Sequence, residues 1–305
     1  MDAANPTAIS NWLADEVASL KEVARIHHQN FAFFQKLIWP AVLFGAVILQ
    51  LSMWQSTEIW RTIPKGYGHS LEIFESSAVR FFGFFADFLF YCFAFAGTSA
   101  AVQEVLRGNS PDVEESLNVA RSNFKQILVM TTVFFFLVLV AFGLALFIGF
   151  TVQDLVHARG ARSATLNAAY VAMYGTALLS FSVLSRYALA IPALVLENLP
   201  FSKSFKRSDR LTEGHMLYLV ALIRESVVGG YLTLVAPFWM WNHVFASRVV
   251  LTWTIYWILR LIGLAASAAV QPVMFIGFAY LYITESTPKK TEPTPTGIAI
   301  WSAKA

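Results

Sequence analysis

The sequence predicts an all-α polytopic membrane protein with six transmembrane helices, a parallel internal repeat and amphipathic cytoplasmic loop helices. Three observations carry this. The 305 residues are 57% hydrophobic and only 13% charged, where soluble domains carry about 25% charged residues. Mean hydropathy is +0.57, and six stretches meet the length of about 20 apolar residues that a spanning helix needs. The Lys and Arg between those stretches are divided unevenly. This composition excludes an ordinary soluble enzyme, a disordered chain and a nucleic-acid binder with a basic face. Membrane lipids are therefore the expected partners, together with protein partners in a membrane complex, and nucleic acid is not. Cys92 is the only cysteine, which excludes an internal disulfide framework and a multi-thiolate metal site.

Residues 1–36 read as a cytoplasmic amphipathic N-terminal segment. Its first apolar run begins only at Leu37, behind four acidic residues, a pattern unlike a signal peptide. Ile9, Leu13, Val17, Leu20 and Val23 recur at helical spacing, and Asn5-Pro6-Thr7 reads as a helix start. Such a helix lies on the membrane surface or packs on the protein's own loops; both readings are open. Residues 37–285 form the six-span membrane domain, with spans at 37–54, 81–102, 126–152, 166–196, 216–241 and 249–283. The last is longer than one span requires, and Gln271-Pro272 marks a kink. One tilted, kinked helix is expected there, with two separate pieces as the alternative. Residues 286–305 contain TPKKTEPTPTG and read as a disordered cytoplasmic tail.

Six spans put both termini on one side. That side collects 13 Lys and Arg, the opposite side 6, and Arg186, Arg224 and Arg260 fall within spans. The excess places both termini in the cytoplasm of a bacterial-type inner membrane. Trp39, Trp54, Trp239, Trp241 and Trp253 lie near span ends, where amphipathic rings belong.

The two longer cytoplasmic loops resemble each other. One reads VLRGNSPDVEESLNVARSNFKQILV from Val105, the other VLENLPFSKSFKRSDRLTEGHMLYLV from Val195. Each ends a span, turns at Pro111 or Pro200, and continues as a short helix in which Ser116 matches Ser204 and Ala120 matches Ser208. Both copies follow an out-to-in span, so they are parallel repeats, which weakens a reading by inverted symmetry.

The second loop carries a wider resemblance. Ala190-Ile-Pro-Ala-Leu-Val-Leu-Glu197-Asn198, then Ser204, Arg207-Ser208, Arg210-Leu211-Thr212 and Gly214, resembles a motif of the family named for the membrane domain of glycerophosphoryl diester phosphodiesterases. The similarity covers roughly residues 80–285, including Gln271-Pro272 and Ala279-Tyr280-Leu281-Tyr282. Thr284-Glu285-Ser286 departs from the expected Asp/Arg-rich exit. The resemblance implies the membrane fold. It does not imply the phosphodiesterase reaction, because the chain has no room for the soluble catalytic barrel.

Lys203, Lys206, Arg207 and Arg210 follow one another in steps of three and four, which puts them on one helical face. Near an anionic leaflet each contributes about 1 kcal/mol of attraction. The strip reads as a lipid-headgroup or phosphate site, or as a signal that only holds the loop inside. Phe201, Phe205 and Leu211 point elsewhere, towards acyl chains or the bundle. The intramembrane polar candidates are Asp87, Arg186, Glu197, Arg224, Glu225 and Arg260. Charges in a bilayer face a bundle interior or one another, and Arg186 and Arg260 are the expected cross-helix partners of Asp87. These groups either line a polar cavity for an ion, proton or headgroup, or form structural ion pairs.

No GxSxG, HExxH, GxGxxG or GxxxxGK[ST] occurs, so no catalytic residue is nominated. The six histidines lack ligand spacing, and neither metal nor cofactor is expected. Two functional classes follow. One is a non-enzymatic scaffold or accessory subunit contacting anionic lipid; the alternative is a transporter or channel-like protein with a polar intramembrane cavity.

Overall fold

The computed structural model describes residues 6–62, 70–158, 185–215, 218–219, 222 and 249–287. Among these every regular element is an α-helix. In chain order they are α1 (Pro6–Gln29), α2 (Phe31–Thr62), α3 (Ser70–Leu106), α4 (Val113–Ser122), α5 (Phe124–Ala158), α6 (Ala190–Leu196), α7 (Phe201–Thr212) and α8 (Val249–Ser286).

Among the described residues three stretches are long and apolar enough to cross a bilayer: Phe31–Ser56 in α2, Phe74–Leu106 in α3 and Phe124–Ala141 in α5. Phe44, Phe82 and Phe136 are exposed on their outer faces, the inverse of a soluble fold. Their hydroxyls are turned inward on the backbone. Ser52, Thr98, Ser99 and Thr132 each donate to the carbonyl four residues earlier, at 2.8–2.9 Å, which spares these four hydroxyls from facing an apolar medium unpaired. The expected spans at 166–196 and 216–241 lie mostly outside the described residues, as does the tail beyond 287. Residues 249–286 form one continuous helix with Pro272 inside it, rather than two pieces.

At the centre is α3, packed against α2, α4, α5, α6 and α8. It pairs with α2 as an antiparallel hairpin whose close approach depends on missing side chains. A Cβ on Gly45 would lie 2.3 Å from Asp87 Oδ1, and one on Gly83 would lie 2.5 Å from Ser52 Cβ. Where lipid offers no hydrophobic drive, such small-residue contacts let helices associate. The α3–α8 contact is aromatic, with Phe95 stacked on Phe275 at 5.0 Å and tilted against Phe278 at 5.8 Å.

Helix α1 packs on α8 and, near its C-terminal end, on α2. Val23 and Ile26 are fully buried in this packing. Of the expected apolar face, Leu20 and Val23 lie against the core and Val17 does not. Val17 is 48% exposed, while the neighbouring Glu16 is buried, because a partner distant in sequence draws that carboxylate inward. The side chains of Ile9 and Leu13 lie outside the described residues.

Candidate functional site

Helices α6 and α7 are built around a break. In a continuous helix the ring of Pro192 would collide with the Ala188 carbonyl. Instead the chain turns through 186–189, with Ala188 N–H on Ser185 O and Ala190 N–H on Tyr187 O, both at 3.0 Å. Pro192 then falls in the first turn of α6, where its missing N–H is harmless. The break strands the Leu189 N–H and the Arg186 carbonyl, and α7 supplies both partners. Ser208 Oγ accepts from Leu189 N at 3.0 Å and donates to Arg186 O at 2.7 Å, and Thr212 Oγ1 donates to the same carbonyl at 3.2 Å.

Between the two helices the backbone reverses at Asn198, with φ +50°. Ser204, Ser208 and Thr212, four residues apart, thus form the buried face of α7. Phe205 packs on Phe134 at 5.2 Å and on Tyr187 at 4.9 Å, and Phe201 and Leu211 lie against the same core. The apolar residues of this helix are directed into the bundle.

The four cations of α7 divide. Arg207 is only 34% exposed and donates to Glu197 Oε1 from Nη2 at 3.1 Å and Nε at 3.3 Å. Burial works against its charge, but the adjoining Tyr282 hydroxyl and the Glu197 carboxylate outweigh it and raise the pKa of Arg207 further. Lys203, Lys206 and Arg210 are exposed, and none has an acidic partner among the described residues. Arg186 lies on the same outer side. Its side chain is 61% exposed and 3.9 Å from Asp209, so it pairs with α7 and not with Asp87. An ion pair this exposed contributes little to stability.

Asp87 is in the α2–α3 hairpin, its carboxylate occupying the notch left by Gly45. Among the described residues it makes no ion pair. One turn further along, Tyr91 Oη accepts from Gln271 Nε2 of α8 at 3.0 Å. Arg80, at the other end of α3, donates to Ser56 Oγ, which is 2.6 Å from Ser76 Oγ. Glu197 is placed at the C-cap of α6 and is taken by Arg207. Arg224 and Glu225 lie outside the described residues. Arg260 belongs to α8, with its side chain outside them.

The sequence reading missed a cluster at the end of α7. Gly214, at φ +90°, turns the chain so that His215 meets carboxylates from two other helices. Its Nδ1 is 3.0 Å from Glu16 Oε1 of α1, and its Nε2 is 3.6 Å from Glu285 Oε1 of α8. The residues are widely separated in sequence, so no local spacing announces them. The departure at Thr284-Glu285-Ser286 was the available signal. No group of three or more metal-ligating side chains converges among the described residues.

Compared with protein-family models, curated proteins and solved structures, the chain matched nothing in any of the three.

Proposed function

We propose that the chain is a non-enzymatic integral membrane protein, a scaffold or accessory subunit of a membrane complex, contacting anionic lipid through α7. On this reading six spans cross a bacterial-type inner membrane with both termini in the cytoplasm, and 197–215 lies in the headgroup layer. The single observation that carries it is the division of the α7 cations. A buried hydroxyl face and the Arg207–Glu197 pair fix the helix, while Lys203, Lys206 and Arg210 remain outward without an acidic partner among the described residues.

The parallel repeat has local support. Gly108 and Asn198 both adopt positive φ after a Val-Leu pair. Ser116 and Ser204 are both buried, and their hydroxyls return to the carbonyls of Asp112 at 2.7 Å and Pro200 at 3.2 Å.

The test is lipid retention. Protein with Lys203, Lys206 and Arg210 changed to Gln should lose the anionic lipid that the wild type keeps through purification, as read by mass spectrometry. High salt should produce the same loss in the wild type, because screening at 1 M shortens the reach of exposed charges to about 3 Å. Equal retention in both proteins would leave the strip as a topology signal only.

A transport reading is favoured by one observation, the Asp87 carboxylate seated against Gly45 with no ion pair among the described residues. Proteoliposomes containing a pH dye separate the two. The scaffold reading expects no proton flux above that of lipid alone, and flux abolished by Asp87→Asn would move the conclusion to transport.

A further inference from the structure

We infer that Arg80 is a phospholipid anchor, oriented by two buried serines of the α2–α3 hairpin so that its guanidinium fork takes a headgroup phosphate. Proton inventory fixes the orientation. The Nε–H of arginine can only donate, so Ser56 Oγ accepts from it and must direct its own proton elsewhere. Ser76 Oγ, 2.6 Å from Ser56 Oγ, receives that proton, and its own is left facing the Ser56 carbonyl at 3.5 Å. Both serines are fully buried. The two hydroxyls thus form a directed chain that ends on the guanidinium and holds it by Nε alone.

With Nε committed, the four N–H donors on the two Nη atoms remain. Among the described residues no carboxylate pairs with Arg80, and it is half-buried rather than free in water. Two Nη atoms side by side match two oxygens of one phosphate, the bidentate pairing for which arginine is suited.

The level of the side chain says where that phosphate comes from. Ser56 is the last residue of the apolar stretch of α2, and Arg80 lies six residues beyond Phe74, where that of α3 begins. At 1.5 Å per residue this is about 9 Å inside the apolar zone. A helical side chain leans towards the N-terminus of its helix, here towards the boundary. A cation so placed reaches for the interface or for a partner, and the anion at that depth is the phosphate of a lipid. Phe81 and Phe82, next along the helix, are exposed and put acyl chains, not water, beside it. This inference rests on the membrane reading of α2 and α3 and is independent of α7. Its chemistry also differs, because a phosphate is present in zwitterionic and anionic phospholipids alike.

Native mass spectrometry of the full-length protein, purified in detergent with dioleoyl phosphatidylcholine as the sole lipid, tests it. Wild type should retain this lipid, and Arg80→Gln should retain on the order of tenfold less, as for a lost pair of about 1.4 kcal/mol. Arg121→Gln, which removes an exposed cation of α4, should retain as much as wild type. Ser56→Ala, which unseats Nε, should fall between, and is the decisive variant where Arg80→Gln does not fold. A digalactosyl lipid with the same chains and no phosphate should be retained far less than phosphatidylcholine. Equal retention by wild type and either hairpin variant, or equal retention of the galactolipid, would overturn the inference. So would displacement of the phosphatidylcholine by excess inorganic phosphate, which would make the site one for the free ion.

Discussion

Ser208→Ala isolates the device that holds the α6–α7 break together. The hydroxyl is fully buried and serves two backbone groups, accepting from Leu189 N–H at 3.0 Å and donating to Arg186 O at 2.7 Å. Its removal orphans the Leu189 amide in a fully buried position, at a cost of about 1–3 kcal/mol. The Arg186 carbonyl keeps Thr212 at 3.2 Å, so little is added from that side. Thr212→Val, by contrast, removes a partner from a carbonyl that still has Ser208, for about 0.5–1.5 kcal/mol. The double variant leaves the carbonyl with neither hydroxyl, and its loss should exceed the sum of the singles, as expected of groups sharing one acceptor. Cys92 is a suitable reporter, being the sole cysteine and buried. Its reaction with a thiol dye across an SDS titration follows unfolding. Ser208→Ala within about 0.5 kcal/mol of wild type, the ordinary range for surface changes, would refute the clamp, as would strict additivity in the double variant.

Gly45→Ala should destabilise by about 1–3 kcal/mol, the usual penalty of overpacking, because the new Cβ meets Asp87 Oδ1 at 2.3 Å and Asp87 Cα at 3.2 Å. Gly143→Ala, with nothing within 4 Å, should be neutral or slightly stabilising in the same titration, since alanine is the better helix former. Arg207→Gln should lower stability by about 0.2–1 kcal/mol, the range for pairs partly open to solvent, while leaving retained anionic lipid unchanged. Reporter fusions at Ala305 and near Arg159 should give opposite signals, cytoplasmic and external, and an external signal at Ala305 would reverse the topology.

The apolar helices were legible because a bilayer demands long, nearly uniform runs, and α2, α3 and α5 supply them in unbroken sequence. The steps between Lys203, Lys206, Arg207 and Arg210 likewise revealed a helix. Which face of that helix turns inward was not legible. Ser204, Ser208 and Thr212 look like a solvent face until the Pro192 break, some sixteen residues before Ser208, supplies backbone groups that need hydroxyls. Arg186 read as intramembrane because it sits inside an apolar run, but the run is broken beside it and its side chain reaches Asp209. In α1 Leu20 and Val23 fall on the inner face as the period expects, and Val17 departs. Glu16 displaces Val17 from the inner face through a contact with His215 across 199 positions, and no local pattern encodes such a contact. The small-residue contacts show the same limit. Gly45 and Gly83 are single glycines, and only the α2–α3 pairing reveals what their missing Cβ atoms admit.

The depth of α7 in a bilayer tests the central claim most directly. A nitroxide placed at the exposed Ser202, in a Cys92→Ser background, reports its position through its relative accessibility to oxygen and to a water-soluble nickel complex. In nanodiscs containing anionic lipid the account expects a headgroup-level position, with the label moving outward when Lys203, Lys206 and Arg210 are changed to Gln. A label that is fully aqueous in every lipid composition, and indifferent to those three substitutions, would contradict it.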